Sequence, residues 1–564
     1  MQSPVKPSGS PRINGQPADQ AAAAAPSSSQ HGPEAEKKQL GEEPGPSRDP
    51  HSRWKLVALG ISLNMAILLV SLDGTILATA IPSITNEFGS LGDVAWYGSS
   101  YMFAACALQL MFGKLYMLYS VKPVFLAAVV LFELGSLIAA TAPSSAALVV
   151  GRAVSGLGAA GIFGGGIIVV AAFVPLRQRP ICVGLLSSMH GVASVAGPLL
   201  GGVFTDRATW RWCFWINLPL GAITVLFLSF IKPIGPSSRP SMSWKKQIKQ
   251  FDLPGTLVLI PSVICLLLAL QWGGSKYAWR DVRIILLLVL FSLLAVVFCG
   301  IQAWQGDQAT LPLRILSNRN MLGGVWFGVC ISAVLFIFSY YLPIWFQVVK
   351  GVSATQSGLM NLPSILGLAV FSIVGGGLAS ALGVYTPLLI ACSVLCAIAS
   401  GLLSTLQVGS SIGYWFGYQV LLAAGAGLGG QNVMLVAQVA VPDDDMPMAT
   451  SVLTFTQLLS SAIFLAVGQN IFQNQLLRHL TARLPQLSAS SIINSGTASV
   501  RNSVAPEQLP DVLQAYNDAV TETFYVAVAA ATLSILGALA MDWLSLNKPA
   551  EQTVADENQG PPAA

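Results

Sequence analysis

Long apolar runs separated by short polar segments occupy most of the chain between its two polar ends. A run of about 20 apolar residues is long enough to cross the hydrocarbon core of a bilayer as a helix. Fourteen such runs can be counted, and the pattern therefore predicts an all-α membrane protein with 14 transmembrane helices. Their predicted bounds are 56–80, 95–118, 123–142, 146–171, 180–204, 211–231, 253–272, 283–304, 321–347, 356–378, 384–406, 413–440, 449–470 and 522–545.

The order of these runs predicts two related bundles. The loops after the second and tenth runs resemble each other weakly, and the fourth and twelfth runs are both rich in glycine. Because the partners lie eight runs apart, we expect six helices, a two-helix insert and six more helices (6 + 2 + 6), with a substrate site at the repeat interface. The predicted segments are a disordered cytoplasmic tail at 1–53, an N-terminal bundle at 54–231, a cytoplasmic loop and insert at 232–304, a C-terminal bundle at 305–545 with an extracellular loop at 471–521, and a cytoplasmic tail at 546–564.

Lysine and arginine residues predict the orientation. With the N-terminus inside, the short inner loops carry eleven of these residues and the short outer loops carry six. Cytoplasmic loops are the ones enriched in Lys and Arg, so both termini are expected in the cytoplasm. The plasma membrane is the expected location, with a vacuolar or vesicle membrane as the alternative. The loop 471–521 contains no Asn-x-Ser/Thr acceptor, and no glycosylation is expected there.

The composition excludes several other classes of protein. The chain is 54% hydrophobic and 10% charged, whereas soluble domains carry about 25% charged residues. A net charge of +4 confined to loops and tails does not indicate nucleic-acid binding. The eight cysteines lie in or beside apolar runs, the four histidines are scattered, and no Gly-x-x-x-x-Gly-Lys phosphate loop occurs. We therefore expect no metal, no cofactor and no enzyme activity; the oligomeric state stays open, and a monomer is expected to suffice.

Asp73 places a carboxylate in the middle of the first apolar run. An ionisable group at that depth costs at least ~2.5 kcal/mol and is rare without a functional role. Because apolar surroundings favour the neutral form of a carboxylate, Asp73 is the first choice for a proton-binding residue. The alternative is a packing carboxylate bonded to hydroxyl groups such as that of Thr75.

Arg152 places a positive charge inside the fourth run. The segment 156–161 that follows matches the dinucleotide pattern G-x-G-x-x-G, but no strand precedes it and it lies within an apolar helix, so we interpret its glycines as helix-packing residues. Arg152 is expected to attract Asp73 or a substrate anion, with an interfacial anchor as the alternative. Glu133 is a weaker candidate for proton coupling, with a polar packing contact as its alternative.

Pro198 lies in the middle of the fifth run between Gly197 and Gly201. Proline removes a helical hydrogen bond and bends the helix, and the glycines allow close packing of the bent segment. The three residues are candidates for gating, that is, for controlling the side to which a cavity opens. A simple packing kink is the alternative.

Several motifs occur in an order that resembles a known family. The chain is similar to the fourteen-spanner drug:proton antiporter group of the major facilitator superfamily, and to its fungal branch that exports toxins and secondary metabolites. The resemblance covers about 54–545. It rests on Asp73-Gly74-Thr75, Ala80-Ile81-Pro82, Trp96-Tyr97, the segment 132–136, the Arg152 glycine motif, Gly197-Pro198, the segment 210–219 and the segment 340–347. One departure is that Met117 and Leu118 replace an acid and a base of the family's second loop, and Ser380 replaces the acid in the partner copy, which puts the usual charge relay of the inner gate in doubt.

The resemblance implies a major facilitator fold that works by alternating access. The implied partners are the lipid bilayer, a small hydrophobic organic substrate and protons, with the substrate exported against inward proton flow. A proton-coupled importer, for example of siderophores, is the nearest alternative, because direction is not written in the sequence. A membrane-embedded enzyme would need a catalytic constellation at one depth, and a sensor would need a long folded extension; neither is found in the sequence.

The substrate pocket is expected between the ninth and twelfth runs, opposite Asp73 and Arg152. Apolar walls with a few amides or hydroxyls suit largely uncharged organic ligands. No charged residue lies in the middle of a run in the second half, so neutral or weakly acidic cargo is expected. The candidate substrate-binding residues are Trp326, Phe336, Tyr340, Tyr341, Gln431 and Asn432.

Overall fold

The computed structural model describes residues 50–90, 93–230, 251–274, 276–484 and 504–546. The predictions for the two polar tails, for most of the loop after the sixth run and for the middle of the loop 471–521 lie largely outside these residues. Across the described residues, 14 helices are long and apolar enough to cross a membrane, which confirms the predicted fold class. The helices are α1 Pro50–Phe88, α2 Val94–Leu118, α3 Val121–Ala140, α4 Ser145–Phe173, α5 Arg179–Arg207, α6 Asn217–Ser229, α7 Leu253–Trp272, α8 Val282–Gln305, α9 Arg319–Val348, α10 Leu362–Leu382, α11 Thr386–Leu403, α12 Ile412–Gly429, α13 Met446–Arg483 and α14 Leu509–Ala540.

Local polar residues mark several helix ends. Ser144 accepts a hydrogen bond from the backbone N–H of Ala147 and so begins α4, and Asn318 does the same for Met321 at the start of α9. Such caps satisfy N–H groups that have no partner within the helix. Gly383 ends α10 with φ of 71°, a left-handed conformation that glycine adopts without steric cost. These signals explain why the apolar runs separate into distinct helices.

The first six helices form one bundle. Helix α4 packs along both α2 and α3, and α3 also contacts α6. A Cβ atom on Gly158 would collide with the backbone of Phe132, and one on Gly156 would collide with the backbone of Tyr101. The glycines of the fourth run therefore bring α2, α3 and α4 together, as the packing interpretation of the segment 156–161 predicts.

The last six helices form a second bundle. Helix α9 packs against α13 and α14, and α11 packs against α12 and α14. Trp345 of α9 is fully buried, and its indole N–H donates to Asn517 Oδ1 of α14 over 2.8 Å. Phe338 and Phe524 join the same two helices, with ring centres 4.7 Å apart.

The insert is a pair of antiparallel helices, α7 and α8, that lies against both bundles. Helix α7 contacts α2 of the first bundle and α13 of the second. Asp252, at the start of α7, is 1% exposed and accepts hydrogen bonds from Gly255 N at 2.6 Å, Gln302 Nε2 at 2.6 Å and Thr310 N at 2.9 Å. This buried carboxylate fixes the insert to the segment that leads into the second bundle.

The predicted extracellular loop 471–521 is wrong in its extent, because both of its ends are helical. Helix α13 continues to Arg483, and α14 begins at Leu509. The apolar residues in these stretches are spaced by three or four positions, so they bury one helix face while the remaining positions stay polar. Phe472 of α13 and Tyr516 of α14 meet with ring centres 6.1 Å apart, and Arg483 donates to Asp518 over 2.6 Å. The mean hydropathy of these helical turns is low, so a search for continuous apolar runs does not predict them as helix.

Candidate functional site

A buried ion pair joins α1 and α4 inside the first bundle. Arg152 Nη1 donates a hydrogen bond to Asp73 Oδ2, and the two side chains are 2% and 0% exposed. The structure thus brings together two of the three predicted proton-coupling residues. Removing two charges from water costs several kcal/mol per ion, and loss of one partner from a buried pair costs about 3–5 kcal/mol. A change in the charge of either residue therefore has a large effect on this region.

Each ion has further partners that fix its position. Arg152 Nε donates to the carbonyl oxygen of Tyr97 over 2.9 Å, and its guanidinium carbon lies 4.6 Å from the centre of the Tyr101 ring. On the other side, Asn217 Nδ2 donates to Asp73 Oδ1 over 3.1 Å. The guanidinium is thus held by a carbonyl group and an aromatic face, which is favourable for a desolvated cation. Contacts from α2 therefore position Arg152, and a contact from α6 positions Asp73.

Glu133 lies beside this pair without a hydrogen bond of its own. Asn217 Nδ2 also donates to Ser136 Oγ of α3 over 3.1 Å, and Glu133 lies one helical turn before Ser136. Both carboxyl oxygens of Glu133 are buried and have no hydrogen-bond partner. The Glu133 carboxyl group packs against Gly221 of α6, where a Cβ atom would collide with it. The third predicted residue therefore belongs to the same region but is not part of the ion pair.

Helix α5 packs tightly on α1 next to Asp73. Cβ atoms on Gly197 and Gly201 would collide with the hydroxyl oxygens of Thr75 and Thr79. Thr75 Oγ1 donates to the carbonyl oxygen of Ala193 over 2.9 Å, so this hydroxyl bonds the backbone of α5. The alternative of an Asp73 bonded to Thr75 is not observed, since the hydroxyl contacts carbonyl groups only.

The predicted gating residues thus form the contact between α5 and the helix that carries Asp73. Pro198 itself is exposed, and α5 runs without interruption from Arg179 to Arg207. The proline ring faces away from α1 while its glycine neighbours face towards it. A gating role for these three residues stays a prediction.

Two of the predicted pocket residues on α9 have exposed side chains, and their role in binding stays a prediction. Phe336 and Tyr340 share one side of the helix and are 36% and 53% exposed. Trp326 also has an exposed surface, but its indole N–H donates to the carbonyl oxygen of Leu533 on α14 over 2.8 Å. This hydrogen bond joins α9 to α14, so packing between the two helices explains the position of Trp326 without a ligand.

Tyr341 and Asn432 are buried packing residues in this structure. Tyr341 is fully buried, and its hydroxyl contacts Gln469 Oε1 over 3.3 Å. Asn432 is 3% exposed, and its Nδ2 donates to the carbonyl oxygen of Leu428 over 2.8 Å. Gln431, next to Asn432, is only half-buried. The sequence could not separate these neighbours, because which of two adjacent residues faces the core depends on helix orientation.

The two bundles meet at one end, here called the basic end. At this end α10 approaches α5, where a Cβ on Gly376 would collide with the carbonyl group of Pro180. Helix α2 approaches α13 in the same way, since a Cβ on Gly113 would lie 2.7 Å from Ser451 Cβ. The basic end is defined by the loops and helix termini that carry Lys114, Lys122, Arg177, Arg179, Arg314 and Arg319. The two bundles therefore approach each other closely at this end.

Polar contacts reinforce the basic end although the family's acid and base are replaced by Met117 and Leu118. Lys114 Nζ of α2 donates to the carbonyl oxygen of Gln308, in the linker after the insert, over 3.1 Å. Arg314 donates to Asp445 at the start of α13 over 2.6 Å. These contacts tie the linker to both bundles.

Sequence reasoning missed the neutral members of the site. Asn217, Ser136 and Tyr101 contact the ion pair or its partners, yet none was a candidate residue. Asn217 and Ser136 are 0% exposed. A polar side chain inside an apolar run was the available signal, but many such residues in this chain bond only to their own helix, for example Thr521.

Comparison with known proteins gives the family. The model of the Major Facilitator Superfamily matches residues 63–465. The chain is 48% identical over 495 residues to the MFS-type transporter astH of Aspergillus oryzae, covering 88% of each protein. It is 47% identical over 514 residues to the efflux pump roqT of Penicillium rubens, covering 91% of this chain and 95% of that protein.

Solved structures show the same fold at low identity. The human organic anion transporter MFSD10 aligns with a TM-score of 0.52 and 14% identity, covering 86% of this chain and 100% of that chain. A double tryptophan mutant of XylE aligns with a TM-score of 0.54 and 13% identity, covering 89% and 99%. With fourteen candidate spans and a buried ion pair between α1 and α4, this chain is a multi-pass membrane transporter, not an enzyme, and belongs to the major facilitator superfamily.

Proposed function

We propose that this transporter exports hydrophobic small molecules, such as fungal secondary metabolites, toxins and drugs, and that inward proton flow drives the export. The observation that carries the proposal is the fully buried pair of Asp73 and Arg152. Ionisable groups inside membrane helices mark ion pathways and proton relays. Similar proteins bear the name efflux pump, among them roqT and the MFS-type efflux pump MFS1 of Trichophyton rubrum.

Protonation of Asp73 couples the proton gradient to the conformation of the first bundle. A neutral Asp73 leaves Arg152 as an uncompensated buried charge, at a cost of about 3–5 kcal/mol. Because each 1.4 kcal/mol is a factor of ten, this cost shifts an equilibrium between two conformations by about a hundredfold or more, provided that only one conformation buries Arg152. Asp73 lies on α1 next to the Gly197 and Gly201 contact, so the shift acts first on the packing of α1 against α5.

The charges at the basic end support an orientation in the membrane. Lysine and arginine are enriched on the cytoplasmic side of membrane proteins, so we place the basic end and both termini in the cytoplasm of a plasma-membrane protein. The close contacts between α5 and α10 and between α2 and α13 then correspond to a conformation closed to the cytoplasm. In this conformation cargo leaves and protons enter at the opposite end.

The cargo site draws on Phe336, Tyr340 and Gln431. Two half-exposed aromatic side chains and an amide recognise an apolar organic molecule with few polar groups. The charged residue of α9 is Arg319 at its start, and α12 from Ile412 to Gly429 contains none, so the cargo is neutral or weakly acidic. A single chain contains both bundles and is sufficient for transport.

A reconstituted assay tests the proposal. Purified protein in liposomes is given a pH gradient, and movement of the neutral dye Nile red is followed with wild type, Asp73→Asn and the control Glu87→Gln. Glu87 is a 44% exposed carboxylate at the far end of the same helix. We expect the pH gradient to drive dye against the proton flow in wild type and Glu87→Gln and not in Asp73→Asn. Dye movement in the same direction as protons would support the importer, and an unchanged gradient dependence in Asp73→Asn would remove Asp73 from coupling.

A further inference from the structure

Glu133 is the buried titratable group that the ion pair leaves unused. Its two carboxyl oxygens are buried without a hydrogen-bond partner, although a charged carboxylate in that position is costly. A neutral carboxylic acid is an O–H donor, and α6, against which the Glu133 carboxyl group packs, carries an acceptor: Asn217 Oδ1 is also buried without a partner. The two unpaired groups are chemically complementary only if Glu133 carries a proton.

The geometry connects Glu133 to Asp73 through α6. Ser136 and Glu133 lie one turn apart on α3, opposite Asn217 and Gly221, which lie one turn apart on α6. Asn217 contacts both Asp73 and Ser136 with its Nδ2, and its buried Oδ1 has no hydrogen-bond partner. Any side chain at position 221 would displace the Glu133 carboxyl group. The site is thus shaped to hold a carboxyl group one helical turn closer to the basic end than Ser136.

We propose that Glu133 is a second proton-holding residue of the first bundle, and that it receives the proton which Asp73 gives up when Asp73 pairs with Arg152. In this step the O–H bond at Asp73 breaks and its electron pair stays on the Asp73 carboxylate. A new O–H bond forms at Glu133, whose carboxylate becomes a neutral acid. Ser136 and Asn217 lie between the two groups, and the inference rests on the proposed proton coupling.

The described arrangement matches the state after this transfer. Asp73 is paired with Arg152, as an ionised carboxylate should be, and Glu133 has no partner for a negative charge. No titratable residue occurs in α6, Asn217–Ser229, the helix against which the Glu133 carboxyl group packs, and Asn217 of that helix contacts the acidic group Asp73. Among the described residues, further titratable or charged groups near this region are Tyr97 and Tyr101 of α2, Arg152 of α4 and Cys213 of the short helix Trp212–Trp215.

Infrared difference spectroscopy tests the protonation of Glu133 without any cargo. The purified full chain in lipid nanodiscs is compared between acidic and alkaline buffer, and the carbonyl stretch of a neutral, buried carboxylic acid is followed. We expect this band in wild type and in the control Glu87→Gln, and its loss in Glu133→Gln. In Asp73→Asn the band should remain, but the pH at which it disappears should change, because the neighbouring charge is gone.

Other results would overturn the inference. A band that is unchanged in Glu133→Gln means that Glu133 is not the neutral acid. A band that disappears at the same pH in Asp73→Asn as in wild type means that the two residues are not linked. If Glu133→Gln does not fold, Gly221→Ala replaces it, and the band should then move in frequency as the carboxyl group is displaced.

A transport measurement separates the relay from a packing role. In the Nile red assay, Glu133→Gln should lose efflux driven by the pH gradient and keep dye exchange without a gradient, whereas a structural defect would lower both. If Asp73→Asn keeps its gradient dependence, the proposed coupling fails, while the infrared result still decides the protonation state of Glu133.

Discussion

Lys114 Nζ donates a hydrogen bond of 3.1 Å to the carbonyl oxygen of Gln308 and so joins the end of α2 to the linker that follows the insert. The Lys114 residue is 2% exposed, which is unusual for lysine. This buried lysine reaches a backbone carbonyl at the end of the protein where Met117 and Leu118 stand in place of the family's acid and base. The linker that follows the insert therefore takes part in the contacts at the basic end.

Loss of Lys114 should open the basic end. We expect Lys114→Ala to increase the distance between spin labels placed at Arg177 and Leu382, which lie near the close contact of α5 with α10. The physical reason is that the α2 end loses its bond to the linker, so the closed conformation loses about 1–3 kcal/mol. The control is Lys276→Ala, an exposed lysine near the other end of the insert. Equal distances in both variants would show that Lys114 does not hold the seal.

Gly197 should tolerate no larger side chain. A Cβ atom there would collide with Thr75 Oγ1, whereas a Cβ on Gly202 would have nothing within 4 Å. We expect Gly197→Ala to lower the thermal unfolding temperature and the transport rate, since overpacking costs about 1–3 kcal/mol, while Gly202→Ala leaves both near wild type. If the two alanine variants behave alike, the tight contact of α5 with α1 is not required.

Asp73 and Arg152 should show strong coupling in a double-mutant cycle. Asp73→Asn or Arg152→Gln alone leaves one buried charge and should destabilise the protein by about 3–5 kcal/mol, whereas the double variant removes both charges and should cost much less than the sum. Denaturation in detergent measures the effect. The exposed Arg177→Ala serves as the control and should be near neutral. Additive effects of the two substitutions would mean that the pair does not act as one unit.

Tyr340 and Tyr341 should respond differently although they are neighbours. Tyr340 is 53% exposed, so Tyr340→Ala, like Gln431→Ala, should change which compounds are exported with little loss of stability. Tyr341 is fully buried, so Tyr341→Ala should destabilise the fold by about 3–5 kcal/mol and lower transport of all compounds together. Transport of a panel of dyes together with thermal unfolding checks both. Loss of all transport in Tyr340→Ala without a change in selectivity would place that residue outside the pocket.

Asp252 should stabilise the insert in a pH-dependent way. Burial alone raises the pKa of Asp252, but hydrogen bonds from Gln302, Thr310 and Gly255 outweigh it and hold the pKa below the ordinary value. Its contribution to stability is therefore present above the ordinary pKa of about 4 and is lost as the pH falls through the lower, folded-state pKa.

The substitution that tests this is Asp252→Asn. An asparagine has one acceptor oxygen where the carboxylate has two, so some donors lose their partner and the unfolding temperature should fall at neutral pH. The further loss of stability on acidification should be shallower than in wild type. Asp281→Asn is the matched control, because asparagine is also a good cap for α8. If the unfolding temperature of Asp252→Asn falls on acidification as steeply as that of wild type, Asp252 does not stabilise the insert in the way described.

The apolar pattern determined the number and order of the helices, because a bilayer requires about 20 apolar residues from every span. The same pattern failed at the ends of α13 and α14, where Phe472 and Tyr516 bury one face of otherwise polar turns. Hydropathy averages all faces of a helix, so it cannot detect a helix that is buried on one side only. The bounds of the connection 471–521 therefore needed the structure.

The chain by itself determined that Asp73 and Arg152 are ionisable groups at membrane depth, since their positions within apolar runs are read directly. It could not determine that they touch, that Asn217 joins them to Ser136, or that Glu133 lies unpaired one turn away. Those facts depend on the rotation of α3, α4 and α6 about their axes and on the distances between them. Glycines such as Gly158 and Gly221 allow the close approach of these helices, because they contact residues far away in the sequence. Contact between residues far apart in sequence is decided by packing, which a one-dimensional pattern does not contain.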